Sequence, residues 1–136
     1  MTWELAFDVQ GNNYTIPNPR PEHIEGFIRA LDGETRLAVK LASNDGFFQV
    51  LGSESVVIYC RMWDRPEDWF GVIDPSIPVD GSTFTVRLPN GKRTQFSTQR
   101  GIPKDDAIIA MTHFLQHCAL FHDLTWINRR GEVVQF

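Results

Sequence analysis

Five consecutive residues, Val56-Val57-Ile58-Tyr59-Cys60, place the first constraint on this chain. A strand with one wet face alternates apolar and polar side chains, whereas a run this continuous presents nothing polar to either side. It reads as a central strand covered on both faces, so the fold needs a sheet of several strands with other elements packed on it. A length of 136 residues is enough to bury such a core in one domain, residues 1–136, without disulfides or metals.

Shorter strand signals flank that run. Trp3, Leu5 and Phe7 alternate with polar neighbours, Gly11-Asn12-Asn13 supplies a turn, and Tyr14-Thr15-Ile16 returns. Leu37, Val39 and Leu41 alternate into an Asn44-Asp45-Gly46 turn, and residues 47–51 return. Phe84, Val86 and Leu88 lead to Asn90-Gly91, the strongest hairpin signal in the chain, with residues 92–98 as the return strand. Between the early strands, Pro21 starts a short helix with an apolar stripe of Ile24, Phe27, Ile28 and Leu31, and Gly33 is its expected C-cap. The predicted class is α+β: a single antiparallel meander of about six to eight strands with two helices packed on it.

The second helix is predicted over residues 102–118. Pro103 suits a helix start because its missing N–H is harmless there, and Asp105 and Asp106 place negative charge against the positive end of the helix dipole. Ala107, Ile108, Met111, Phe114, Leu115 and Cys118 recur at helical spacing, and the stripe Ile108, Met111, Leu115 and Cys118 is expected to face the sheet. Leu124-Thr125-Trp126-Ile127 then reads as a short strand with Trp126 buried. A proline-led start, acids in the first turn, an apolar helix with a Phe near its end and a terminal Leu-x-Trp together resemble the closing element of the Imm1-like immunity proteins. Those are small bacterial proteins that bind and inactivate a cognate polymorphic toxin. The chain departs from the pattern at Phe121-His122-Asp123, where a proline is usual shortly before the Leu.

The common signatures of catalysis are missing from this sequence. The sequence has no Gly-x-Ser-x-Gly, no Gly-x-Gly-x-x-Gly and no His-Glu-x-x-His. His113 and His117 have the i, i+4 spacing of a shared metal, but a third ligand has only His122 or Asp123 to come from, so two histidines on a polar helix face are expected, without metal or cofactor. Cys60 and Cys118 sit in apolar runs and read as buried thiols of a reducing compartment. Met1-Thr2-Trp3-Glu4 has neither a basic nor an apolar leader, and no apolar run reaches the roughly 18 residues of a membrane span, so the expected location is cytoplasmic. A net charge of −4 with dispersed basic residues argues against a nucleic-acid partner.

Residues 62–82 fit neither period. This segment holds two Trp, one Phe and five acids, and irregular connections of such length tend to carry function. Trp63 and Trp69 are the expected anchors for a protein partner, with Asp64, Glu67, Asp68 and Asp74 as an acidic rim that steers a basic surface. The same rings, with Phe70, would also serve as a satellite core under the loop. The resemblance implies a non-enzymatic immunity protein that neutralises a cognate, basic toxin domain of nuclease or deaminase type by stoichiometric occlusion. The alternative is a small-molecule-binding or enzymatic α+β domain using Glu67 or Asp68 as an acid.

Overall fold

The structure, a computed structural model, describes residues 2–65 and 68–135. In chain order the elements are β1 (Glu4–Val9), β2 (Asn12–Pro17), α1 (Pro21–Arg29), β3 (Ala38–Ser43), β4 (Gly46–Gly52), β5 (Ser55–Met62) and β6 (Phe70–Ile73). They continue through β7 (Thr83–Arg87), β8 (Arg93–Ser97), β9 (Ile102–Pro103), α2 (Lys104–His117), β10 (Thr125–Ile127) and β11 (Val133–Val134). The expected α+β class is the one adopted. An antiparallel sheet runs β11-β10-β6-β5-β4-β3-β1-β2, and β9 pairs with the start of β5. Strand β5 is central, and Val56, Val57 and Ile58 are completely buried.

Alternation along β5 divides the core in two. Val56, Ile58 and Cys60 face the helices, where Leu5, Leu41, Phe48 and Val50 meet Ile24 and Ile28 of α1 and Ala107, Met111 and Phe114 of α2. Val57 and Tyr59 face the other way, toward Ala38 and Leu51 of the sheet and Val86 and Phe96 of the β7–β8 hairpin. The hairpin is thus a separate two-stranded sheet lying on the outer face of the large one. It fills the second layer that an apolar strand on both faces requires.

Several local expectations shift. The inward face of α2 is Ala107, Ala110, Met111 and Phe114, while Ile108, Leu115 and Cys118 are half-buried at its margin. Small residues at 107 and 110 let the helix backbone approach the sheet, which turns the bulky flank outward. Helix α1 ends at Arg29 with Ala30 as its C-cap, and Gly33 (φ 75°) serves the following turn instead. Lys104 adds to this cap: its Nζ donates to the carbonyls of Arg29 (3.0 Å) and Leu31 (2.6 Å). Residues 62–82 contain a strand, β6, whose four residues are too few for periodicity to reveal. The chain end matches expectation, with Trp126 2% exposed and its Nε1–H donating to the Phe121 carbonyl at 2.8 Å. Among the described residues no helix is long and apolar enough to cross a membrane.

Candidate functional site

The two expected anchors separate. Trp63 follows β5 in a turn held by its own N–H to the Asp45 carbonyl at 3.0 Å. Trp63 is 44% exposed, and its ring lies 5.8 Å from that of Phe47, with the Arg61 guanidinium 5.7 Å from the Trp63 centroid. Trp69 precedes β6, is half-buried, and packs at 5.2 Å against Tyr59 on the outer sheet face. Phe70 points the opposite way and is buried in the main core at 1% exposure. Of the three rings offered to a satellite core, Trp69 packs half-buried on the outer face, Trp63 stands exposed at the edge of that face against Phe47, and Phe70 belongs to the main core.

The acids do not converge on one rim. Asp64 is exposed. Asp68 is half-buried, donates its N–H to the Arg65 carbonyl at 3.1 Å and shares a small cleft with Asn128, Arg129 and Arg130. Asp74 is committed to a turn: its Oδ1 accepts from the Ser76 N–H at 3.0 Å and the Ser76 hydroxyl at 2.6 Å. Those bonds hold its carboxyl below the usual range. Glu67 lies outside the described residues. Neither aromatic cleft described next includes Asp68 in its lining, so Asp68 is not placed to serve as an acid there.

A cleft of about 530 Å3 opens between the hairpin and the outer sheet face. Its sheet wall carries Phe47, Gln49, Tyr59, Arg61 and Trp69, and its hairpin wall carries Leu88, Thr94 and Phe96. A second cleft of about 500 Å3 shares Tyr59, Trp69, Thr94 and Phe96 with the first and extends to Ile73, Ser97, Arg100 and Ile127. The geometry follows from alternation in β8, which sends Phe96 down onto the sheet and leaves Gln95 and Ser97 exposed.

Arg100 ends the short 3-10 turn Thr98–Arg100 that follows β8. Its guanidinium carbon lies 5.3 Å from the Tyr59 ring, 5.5 Å from Trp69 and 5.5 Å from Phe96, so three π faces surround one cation. Nε and Nη2 are buried without a hydrogen-bond partner among the described residues. Burial lowers the pKa of this guanidinium, and neighbouring Tyr59 opposes the shift. An arginine stays charged regardless. Sequence reading missed Arg100 altogether; the available signals were a bare glycine, Gly71, inside an apolar strand and a hairpin whose apolar side needed a surface to cover.

The histidines of α2 lie together, with ring centroids 4.6 Å apart and His113 half-buried against Phe121. Partial burial and the neighbouring His117 and His122 lower the His113 pKa. No group of three potential metal ligands occurs among the described residues. Cys60 is buried and Cys118 half-buried; burial raises both thiol pKa values, away from nucleophilic use. No protein-family model matches the chain, and no curated protein matches it in sequence.

Proposed function

We propose that this chain is an immunity protein that binds a cognate toxin domain and neutralises it by stoichiometric occlusion. One observation carries the reading: Trp63 stands exposed against Phe47 and beside Arg61, and the latter two also line the aromatic cleft. An exposed indole supported by a second ring is largely preordered, so a partner can bury it at little entropic cost. The closing element adds support. The sequence pattern behind the Imm1-like resemblance lies in this element, with Phe114 in α2 and Trp126 buried in β10.

The contact surface of this reading centres on Trp63 and the cleft mouth, with Trp69 as an inner wall. Asp64 is its exposed acid and steers a basic partner, whereas Asp74 is occupied locally. The test is binding kinetics against the toxin domain encoded beside this gene. Trp63→Ala is expected to weaken binding by roughly 2 kcal/mol or more, mainly through faster dissociation. Asp64→Lys is expected to slow association, and more so at low salt. Unchanged rates in both folded variants would move the interface elsewhere. A neighbouring toxin that does not bind the wild-type chain would sink the immunity reading itself.

A further inference from the structure

We propose that the free edge of β2 pairs with the β2 edge of a second copy of this chain, antiparallel about a two-fold axis at Tyr14. This surface is separate from Trp63 and the aromatic clefts, so the pairing goes beyond toxin occlusion and does not depend on it.

Strand β2 is the last of the large sheet and pairs with β1 on one side only. Its turn, Gln10-Gly11, has φ values of 52° and 85°, as a two-residue type I′ hairpin requires. That turn fixes the alternation of the ladder. Val9–Asn12, Phe7–Tyr14 and Leu5–Ile16 exchange both backbone bonds, while Asp8–Asn13, Ala6–Thr15 and Glu4–Pro17 exchange none. Pro17, which has no N–H, thus occupies a position that owes none to β1. The N–H and C=O groups of Asn13 and Thr15 point away from β1, and neither N–H has a partner among the described residues.

Native sheet edges are blunted by charge, bulges, brevity or a covering element, and β2 has none of these protections. Residues 12–17 pair one to one with β1 without a bulge and hold no charged side chain. All but Ile16 are exposed, so neither helix nor loop covers them. The opposite edge of the sheet differs, because β11 has only two residues. The hairpin strands differ too, since β7 carries Arg87 and β8 carries Arg93.

Backbone, ring and charge all fit a second copy in one register. A two-fold axis at Tyr14 sets Asn13 opposite the partner's Thr15, and Thr15 opposite the partner's Asn13, so each pair exchanges both of its outward backbone bonds. The same axis makes Tyr14 and the partner's Tyr14 a non-hydrogen-bonded pair, the closest cross-strand position, with about 4.5 Å between Cα atoms. Tyr14 is 49% exposed and ends a row of rings: it stacks on Phe7 at 5.6 Å, and Phe7 stacks on Phe27 of α1 at 3.9 Å. Across the axis that row meets its own copy, and aromatic side chains directly opposite each other stabilise a strand pair. Each chain has a net charge of −4, but residues 12–17 are neutral, so this register sets no like charges together.

Sedimentation velocity and a nitrogen-15 NMR dilution series of the full chain read the association and its place. A reversible dimer is expected to form below about 1 mM, the weak end suited to an interface of one strand. The amides of Asn13 and Thr15 should shift with concentration, and the Trp63 indole N–H should not. Thr15→Pro removes an N–H that β1 does not use; it is expected to keep the fold and weaken the dimer about tenfold or more. Cysteine cross-linking reads the register without relying on that variant. In a Cys118→Ser background under oxidised glutathione, Tyr14→Cys is expected to give a disulfide-linked dimer. Asn12→Cys should not, because in this register the two introduced thiols lie too far apart along the strands to bridge. A chain that stays monomeric at the highest concentration, shifts confined to other residues, or equal cross-linking at positions 12 and 14 would overturn the proposal. So would Asn13 and Thr15 amides that respond only when the neighbouring toxin domain is added, which would assign this edge to a strand of another protein.

Discussion

The guanidinium of Arg100 occupies the space that a side chain on Gly71 would need, with Nη2 only 2.6 Å from the position of a Cβ there. Gly71 lies in β6 opposite Tyr59 of β5, and the rings of Tyr59 and Trp69 complete the setting around the cation. A single glycine in a strand thereby decides whether an arginine packs flat on the sheet or swings away.

Gly71→Ala tests this directly. The obstructing atom ends a flexible side chain, so the arginine can move without unfolding the sheet. Alanine also suits a strand backbone better than glycine. Global stability is expected to change by less than about 1 kcal/mol, while Arg100 leaves its place among the rings. Urea unfolding should report the first, and loss of a distinct Arg100 Nε–H resonance the second. An unchanged resonance would show that the cleft accommodates a methyl group at this position.

Packing on the helix side makes Phe114 the residue of α2 most costly to truncate. It is completely buried, with its ring 5.4 Å from Trp3 and 5.5 Å from Phe48. Phe114→Ala is expected to cost about 3–5 kcal/mol, as a large-to-small core change does. Leu115→Ala, at a half-buried margin position, should cost under about 2 kcal/mol. Denaturant midpoints of the two variants give the comparison, and the reverse order would overturn the observed orientation of the helix.

Lys104 joins the two helices by capping α1 from the first residue of α2. Arg29 and Asp105 add a second link at 3.0 Å. Lys104→Met keeps most of the apolar stem and removes both hydrogen bonds to the carbonyls. The expected loss is about 1–2 kcal/mol. Hydrogen exchange should quicken most at the end of α1; uniform exchange across both helices would mean that the cap contributes nothing local.

Acid should weaken the turn between α1 and β3. The Asp32 carboxylate accepts from the N–H groups of Glu34 (2.9 Å), Thr35 (2.8 Å) and Arg36 (2.9 Å) and from the Thr35 hydroxyl at 2.6 Å. These donors hold its folded pKa well below the unfolded value of about 3.9. The sign follows from that depression: the contribution is complete above about pH 4 and disappears as pH falls through the folded value. Asp32→Ala should lower stability at neutral pH and flatten the fall below about pH 4. Solvent screening keeps the effect small at so exposed a site. Parallel wild-type and variant curves of stability against pH would exclude the turn as their source.

Neighbouring residues alone determined much of this protein. The continuous apolar run at residues 56–60 announced a central strand covered on both faces, and Asn90-Gly91 announced a hairpin. The proline, the paired acids and the apolar spacing announced α2, and Trp126 was legible as buried. Each of these depends on backbone preference or on period, both of which act within a few residues. Tertiary structure decided how those pieces meet. It laid the hairpin over the outer sheet face, rotated α2 onto its small residues 107 and 110, and made a strand of Phe70–Ile73 by pairing it with β5 and β10. It also separated Trp63 from Trp69 and brought Arg100 over Gly71, 29 positions earlier in the chain. No local preference encodes such a meeting. It exists because the two-faced strand had to be covered twice, and the second cover brought the turn that carries Arg100 onto the sheet.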